Sequence, residues 1–260
     1  MEITWLGTAA VRIGTQGEQI LFDPFVQLIG GENPNCIDDF LRDTTVCVTH
    51  GHLDHLMEVP VFLDGETEAE ATVYCGEASV RTLEKMVEDT GNVVCVRPGD
   101  EIRLGSVRIR VWEGRHARPG AAAVLRKLFS LRLFRYFRNA LALAYLNPKF
   151  PERGQTLIYE LVSEGKRVVL LGSLGLAENI VYPDGADLLI LPYQGSARLE
   201  QTALSVVRRL RPKRIMLDHF DDAFPPVSSR VDTRGFKRLM DREFPDIPVV
   251  KPTAGKTITI

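Results

Sequence analysis

The order of hydrophobic and polar residues in the first half of the chain predicts a series of short strands. Runs of apolar residues end at Gly or at Asp-Pro, as strands joined by tight turns do. The predicted strands are Ile3–Leu6, Ala10–Ile13, Gln19–Phe22, Thr45–Thr49, Thr72–Cys75, Val93–Val96, Glu101–Leu104 and Val107–Trp112. One helix, Glu77–Glu88, is predicted among them, because apolar residues recur there at helical spacing.

The second half of the chain repeats this order of strands and helices. The tripeptide Glu164-Gly165-Lys166 between two apolar runs indicates a hairpin, and Asp187–Leu191 is typical of a strand buried on both faces. The other predicted elements are the strands Thr156–Val162, Arg167–Leu171, Arg214–Leu217, Val249–Lys251 and Thr257–Ile260 and the helices Arg198–Leu210 and Thr233–Glu243. Strands, a helix and strands again, occurring twice, predict an α+β fold in which two sheets pack face to face with helices outside.

Composition narrows the class of protein. With 260 residues and 45% hydrophobic content, one domain over residues 1–260 is expected. The sequence has no apolar stretch of about 18 residues and no basic segment leading into an apolar one at its start, so we expect a cytoplasmic protein. Four cysteines without CxxC spacing fit small buried hydrophobic residues: Cys36, Cys47, Cys75 and Cys95.

Charge is unevenly distributed along the chain. Residues 1–102 carry 5 basic and 19 acidic side chains, whereas residues 103–153 carry 12 basic and 2 acidic ones. The net charge of the whole chain is −2, so the middle segment is a basic island in an acidic-to-neutral protein. The aromatic residues of this basic segment fall mostly within one predicted helix, and no separate nucleic-acid-binding module is predicted.

The segment His50-Gly51-His52-Leu53-Asp54-His55 is the strongest functional signal in the sequence. With this composition, HxHxDH arises by chance on the order of once in ten thousand such chains. Residues two apart at the end of a strand point the same way, so His50 and His52 can bind one metal ion, and Asp54 and His55 can reach a second. Imidazole and carboxylate favour borderline divalent cations, Zn²⁺ above all, although Mn²⁺ and Fe²⁺ are also accepted.

The two remaining histidines complete a candidate metal site. The chain has only five histidines, and His116 and His219 each follow a predicted strand. Ends of neighbouring strands can bring distant residues together. A metal ion at such a site lowers the pKa of a bound water towards about 7, so that hydroxide is available as a nucleophile.

These motifs resemble those of the metallo-β-lactamase superfamily. TWLGTAAVRI, ILFDPF, VTHGHLDHL, the strand before His116, LLGSLG and IMLDHF occur in the family's order over nearly the whole chain. The nearest pattern is that of the ascorbate-6-phosphate lactonase-like Zn-dependent hydrolases. The resemblance implies an αββα sandwich with metals at one edge between the sheets, and it implies that Asp23 orients a ligand by a hydrogen bond.

The resemblance also implies the division of ligands between two ions. One ion is expected on His50, His52 and His116, and the other on Asp54, His55 and His219, with Asp54 also acting in catalysis by orienting the nucleophile and accepting its proton. The family usually carries a bridging Asp in its fourth motif, where this chain has Ser173. A hydroxyl is a weaker ligand than a carboxylate, so we expect one or two ions, with the second bound more weakly.

Residues 117–153 interrupt the strand pattern directly after a predicted ligand. Within them, RKLFSLRLFRYFRNALALAYL predicts an amphipathic helix. Its apolar side carries Leu125, Phe129, Leu133, Tyr136, Phe137 and Leu141, and its basic side carries Lys127, Arg132, Arg135 and Arg138. Three interpretations stay open: a lid over the site, a homo-oligomer contact, and a peripheral membrane contact through residues 121–145 with arginines at anionic headgroups.

Arginines near the predicted metal edge favour an anionic substrate. Arg115 and Arg118 bracket His116, and guanidinium groups suit phosphate or carboxylate. The leading prediction is a hydrolase that uses a metal-bound hydroxide on a small anionic ester, lactone or phosphodiester. The alternatives are a lipid- or nucleic-acid-directed phosphodiesterase, and a non-catalytic metal- or ligand-binding protein in which Ser173 marks lost catalysis.

Overall fold

The computed structural model describes residues 1–65, 70–117 and 131–260. The strands in these ranges are β1 (Glu2–Gly7), β2 (Ala10–Thr15), β3 (Glu18–Phe22), β4 (Thr45–Cys47), β5 (Thr72–Cys75), β6 (Val93–Cys95), β7 (Glu101–Leu104), β8 (Val107–Gly114), β9 (Thr156–Ser163), β10 (Lys166–Leu171), β11 (Leu188–Pro192), β12 (Ile215–Asp218), β13 (Val249–Val250) and β14 (Thr257–Thr259). The α-helices are α1 (Leu53–Leu56), α2 (Glu77–Leu83), α3 (Leu131–Arg135), α4 (Phe137–Leu146), α5 (Leu199–Leu210) and α6 (Arg234–Glu243).

The strands form two seven-stranded sheets. The first has the order β14-β1-β2-β3-β4-β5-β6, and the second has the order β13-β12-β11-β10-β9-β8-β7. In each sheet an antiparallel part is followed by a parallel part, which comprises β3 to β6 in the first sheet and β10 to β13 in the second. Helices flank the two sheets, as the sequence pattern predicts.

The main hydrophobic core lies between the two sheets. In β3, Ile20 and Phe22 belong to this core, while Leu21 points to the opposite face, as the alternation of a strand requires. Tyr159 of β9 joins the sheets, because its ring lies 5.6 Å from that of Phe22 and its hydroxyl donates to the carbonyl of Val48 at 2.8 Å. A second apolar cluster fills the space between the first sheet and α1 and α2.

Two predicted helices differ from the structure. The helix predicted over residues 77–88 ends at Leu83, because the amide of Met86 bonds to the carbonyl of Leu83 and tightens the chain into turns. The helix predicted over 126–146 is broken at Tyr136, whose φ of −112° and ψ of 35° are not helical. The Tyr136 ring packs so closely on Gly30 that a Cβ there would lie 2.5 Å from it. Residues 118–130 lie outside the described ranges.

The prediction that all cysteines are buried is wrong for two of them. Cys47 and Cys75 are buried in the strands of the first sheet, but Cys36 and Cys95 are exposed. Cys95 ends an edge strand and Cys36 precedes a 3₁₀ helix, so neither faces a packed layer. Among the described helices, none has the length and apolar character needed to cross a bilayer.

The buried ion pair of Arg12 and Asp43 predicts a large effect on stability. Arg12 Nε donates to Asp43 Oδ1 at 2.8 Å, and both side chains are buried. The substitution Arg12→Met leaves the carboxylate without its partner, and we expect the free energy of unfolding in urea to fall by about 3–5 kcal/mol. Arg81→Met breaks the exposed Arg81–Glu77 pair and should change the free energy of unfolding by less than about 1 kcal/mol. Equal losses in the two variants would contradict this assignment.

Candidate metal centre

Local structure brings the six predicted ligands to one edge of the sheets. His50 follows β4 and forms an isolated bridge with Thr156, and His52 directly precedes α1 in an extended conformation. The short helix α1 is anchored by buried Leu53 and Leu56, so that its other residues, Asp54 and His55, lie at the site. His116 follows β8 and His219 follows β12.

The first cluster consists of three imidazoles. The candidate ligand atoms of His50, His52 and His116 all lie within 4.8 Å of one another. Nε2 of His50 is 3.1 Å from Nδ1 of His52, and the ring of His116 lies 4.5 Å from that of His52. Three nitrogen donors that face a common point fit a divalent ion of the zinc type.

The second cluster adds a carboxylate to two imidazoles. The candidate ligand atoms of Asp54, His55 and His219 also lie within 4.8 Å of one another. Oδ2 of Asp54 is 3.0 Å from Nε2 of His219 and 3.8 Å from Nε2 of His55. The His55 and His50 rings are 3.9 Å apart, so the two clusters are neighbours and the donor set fits a centre for two ions.

Asp23 orients two of these imidazoles, His55 directly and His50 through Thr49. The hydroxyl of Thr49 donates to Asp23 Oδ2 at 2.6 Å, and Nδ1 of His55 lies 2.8 Å from the same oxygen. Because the single hydroxyl proton of Thr49 goes to Asp23, its oxygen accepts a hydrogen bond from Nδ1 of His50 at 3.0 Å. This network assigns the protons to both Nδ1 atoms and leaves both Nε2 lone pairs for a metal.

In the fourth motif, where the family usually carries a bridging Asp, Gly172 and Ser173 have structural roles beside the candidate metal centre. The Ser173 hydroxyl accepts a hydrogen bond from the amide of Ala117 at 3.0 Å, and so fixes the backbone directly after His116. Gly172 lies against Thr49, and a Cβ at this position would be 2.5 Å from the Thr49 hydroxyl oxygen. Gly172 therefore leaves room for the residue that connects Asp23 to the histidines.

The pKa values of the first cluster suit metal binding. Burial lowers the pKa of His50 well below its usual value, and neighbouring imidazoles lower it further. Burial likewise lowers the pKa of His52, and it lowers that of His116 to about 4 with a contribution from His52. These rings are neutral at neutral pH, and their lone pairs are free to coordinate an ion.

The second cluster holds a proton in the absence of metal. Burial tends to lower the pKa of His219, but the hydrogen bond and charge of Asp54 outweigh it and raise this pKa to about 9. Burial tends to raise the pKa of Asp54, but the electrostatic influence of His55 and the hydrogen bond and charge of His219 outweigh that effect and lower it. An ion that binds here must displace the proton that His219 shares with Asp54.

A cavity of about 510 Å³ opens over the candidate ligands. Its described lining includes all six of them, Ser173 and the apolar residues Leu199, Phe224, Val227 and Val231. Arg115 does not belong to this lining and its side chain is exposed, while Arg118 lies outside the described residues. A role for either arginine in substrate binding stays a prediction.

Sequence patterns assigned no role to Thr49 or Asp221, and they left Asp218 open between orienting a ligand and ending a strand. Thr49 gave no signal, because a hydroxyl residue at a strand end is common. Asp218 and Asp221 are buried on either side of His219 in the sequence, and each has one carboxylate oxygen without a partner among the described residues. Burial raises the pKa of Asp218 well above its usual range. Only the tertiary fold shows that these carboxylates are enclosed.

Asp23→Asn should weaken metal binding without disturbing the backbone. Asp23 has a φ of 46°, a conformation that Asn also adopts readily, but the amide cannot replace a carboxylate that accepts from both Thr49 and His55. We expect zinc affinity at the second cluster to fall about 10–100-fold in a chelator competition. Asp187→Asn, which alters a contact with Lys213, is the matched control, and equal affinities for the two variants would refute the role of Asp23.

The pKa of His219 predicts how zinc binding depends on pH. An ion at the first cluster binds imidazoles that are already neutral, such as His116. An ion at the second cluster must displace the proton of His219, whose pKa is about 9. Affinity for the second ion should therefore rise with pH up to that value, with about one proton released per ion at near-neutral pH. Calorimetric titrations in buffers of different ionisation enthalpy measure this release. Two binding events that release no protons would contradict the prediction.

Comparison with known proteins agrees with this fold. The model of the beta-lactamase superfamily domain matches residues 2–218. A UPF0173 protein of Pyrococcus abyssi is 24% identical over 93% of this chain and 91% of its own length. A UPF0173 metal-dependent hydrolase of Rhizobium johnstonii is 33% identical over 37% of this chain and 43% of its own length.

Solved structures show the same fold at low sequence identity. A metallo hydrolase from the archaeon Ignicoccus hospitalis has a TM-score of 0.68 at 17% identity, covering 100% of this chain and 97% of its own. A metallo-β-lactamase fold protein of Bacillus subtilis has a TM-score of 0.65 at 11% identity, covering 99% and 98%. With the family model matched over most of its length, the chain belongs to the metallo-β-lactamase superfamily.

Proposed function

We propose that this metal-dependent hydrolase cleaves a small anionic ester of the lactone or phosphodiester type, with zinc as its metal. The observation that carries the proposal is the charge of the donor set, five imidazoles and a single carboxylate. Two divalent ions held by such a set leave the site with a net positive charge, because the imidazoles are neutral and Ser173 adds none. A positive site of about 510 Å³ favours a small anion.

The chain's own residues have distinct parts in this proposal. His50, His52 and His116 would hold one ion, and Asp54, His55 and His219 a second that is bound more weakly. When bound, the ions supply Lewis acidity towards a substrate oxygen and a water molecule. Asp54 would also orient that water molecule and take up its proton; its Oδ2 lies 3.0 Å from Nε2 of His219.

The remaining lining suggests what the substrate carries besides its negative charge. Leu199, Phe224, Val227 and Val231 are apolar residues of the cavity lining. An anionic ester with a small apolar group therefore matches both the charged and the apolar residues of this lining. The sequence resemblance to ascorbate-6-phosphate lactonase-like enzymes supports a lactone substrate. A phosphodiester is the other candidate, because its negative charge suits the same positive site. Mn²⁺ or Fe²⁺ could replace zinc on these nitrogen and oxygen donors.

A small substrate panel tests the proposal. The zinc-loaded protein is assayed on a phosphorylated lactone, on bis(p-nitrophenyl) phosphate and on uncharged p-nitrophenyl acetate, with metal-stripped protein as the blank. We expect kcat/KM for an anionic substrate to exceed that for the uncharged ester. His52→Ala should reduce hydrolysis by about a hundredfold or more and lower the bound zinc, because it removes a ligand.

Lys237→Ala, an exposed change on α6, serves as the control and should retain both activity and metal. Full turnover by His52→Ala or by the metal-stripped protein would show that the site does not act through these residues. A doubly loaded protein that hydrolyses none of the three substrates would favour a non-catalytic, ligand-binding role instead.

A further inference from the structure

Helices α3 and α4 carry a stripe of exposed apolar side chains. In α4, Phe137, Leu141 and Tyr145 follow one another at intervals of four residues and so lie on one side of that helix, while Phe134 lies in α3 before the break at Tyr136. The side chains of Phe134, Phe137, Leu141 and Tyr145 are 81%, 58%, 57% and 69% exposed, and Leu131 before them is 86% exposed. Of this group only Phe137 and Leu141 belong to the apolar side predicted from the sequence; Leu133 and Tyr136 of that predicted side are half-buried, because the helix breaks at Tyr136. Exposed apolar side chains grouped in this way mark a contact surface.

The opposite side of these helices is fixed to the protein. Asn139 is buried and its amide donates to the carbonyls of Ile29 and Pro225, each at 2.9 Å. Leu143 is buried on the same side, and Arg132 of α3 forms an ion pair with Asp222. These contacts hold the helices in place, so the apolar stripe cannot turn inward without breaking them.

The charge around the stripe has a single sign. Residues 131–149 contain Arg132, Arg135, Arg138 and Lys149 and no acidic residue. Arg132 is engaged by Asp222, and Lys149 lies 3.7 Å above the ring of Tyr145. Arg135 and Arg138 are exposed and make no ion pair with any residue in the described ranges. Two arginines are therefore available beside the stripe for an anionic partner.

We propose that this surface, formed by Leu131, Phe134, Phe137, Leu141 and Tyr145 with Arg135 and Arg138, docks onto an anionic phospholipid surface. The apolar side chains enter the interface, and the arginines contact the headgroups, which is how amphipathic helices lie on membranes. A second copy of the chain fits less well. A two-fold contact through this stripe places the arginines of both copies near one another, with no acidic residue on either helix to compensate.

The docking surface continues to the candidate metal centre. Asn147 directly follows α4 and lines the cavity above the histidines. It is the one residue of the described part of the insertion in this lining, so α3 and α4 themselves do not line the cavity. A membrane contact through the stripe would bring the cavity close to the lipid surface. The docking itself does not depend on which ester the enzyme cleaves.

Co-sedimentation with vesicles tests this proposal on the full-length, metal-loaded protein. The vesicles contain either phosphatidylcholine alone or phosphatidylcholine with about one third phosphatidylserine. We expect binding to the anionic vesicles and little to the neutral ones. The variant Phe137→Ser/Tyr145→Ser should bind the anionic vesicles at least tenfold more weakly, since each buried aromatic side chain contributes about a tenfold factor. Arg135→Glu/Arg138→Glu should lose at least about tenfold as well.

Matched controls separate this surface from general effects. Val181→Ser removes an exposed apolar side chain elsewhere, and Lys237→Glu/Arg238→Glu makes the same charge change on the exposed side of α6. Both controls should bind as the unaltered chain does. Equal binding by all variants, or no binding to anionic vesicles, would overturn the proposal. So would self-association in light scattering that the stripe variant abolishes while vesicle binding is absent.

A substitution that keeps the stripe intact provides an independent measurement. In Tyr145→Trp, an exposed indole replaces an exposed phenol within the stripe. We expect its fluorescence to shift to shorter wavelength when vesicles containing phosphatidylserine are added, and to be quenched by brominated lipid, because the ring leaves water. An unchanged spectrum at saturating lipid would contradict docking through this surface.

Discussion

The candidate metal centre depends on keeping five imidazole rings together at one edge of two sheets. Buried rings at these distances cannot all be protonated, because like charges in a medium of low dielectric repel strongly. The structure solves this with two different environments. His50, His52 and His116 are kept neutral by burial, whereas His219 keeps a proton by pairing with Asp54. The rest of the site follows from that division, including the difference expected between the two ions.

The hydrogen bonds of Asp23 and Thr49 fix the orientation of two of these imidazole rings. Rings held only by their Cα positions can rotate, and either nitrogen can point at the cavity. The carboxylate of Asp23 and the hydroxyl of Thr49 assign the protons of His50 and His55, and the small Gly172 makes room for Thr49. The two sheets carry these residues from different strands, so their packing is what makes the site.

Much of this arrangement could be predicted from the sequence, and the remainder has physical reasons. Short apolar runs between turn residues located the strands, and the spacing of His50, His52, Asp54 and His55 located the candidate site, because both are local properties. The direction of a side chain is not local: Arg115 neighbours His116 in sequence yet lies outside the cavity lining. Likewise, the sequence predicted one apolar side along a helix over residues 126–146, but the break at Tyr136 and the contacts of Asn139 with distant loops decide which apolar side chains are exposed.

X-ray absorption at the zinc edge of the loaded protein tests the central claim most directly. The account predicts nitrogen and oxygen neighbours at about 2.0–2.1 Å, outer-shell scattering from several imidazoles, and a second zinc ion at about 3.5–4 Å once two ions are bound. A spectrum dominated by sulfur at about 2.3 Å, or one without imidazole scattering, would show that the five histidines and Asp54 do not form the metal centre.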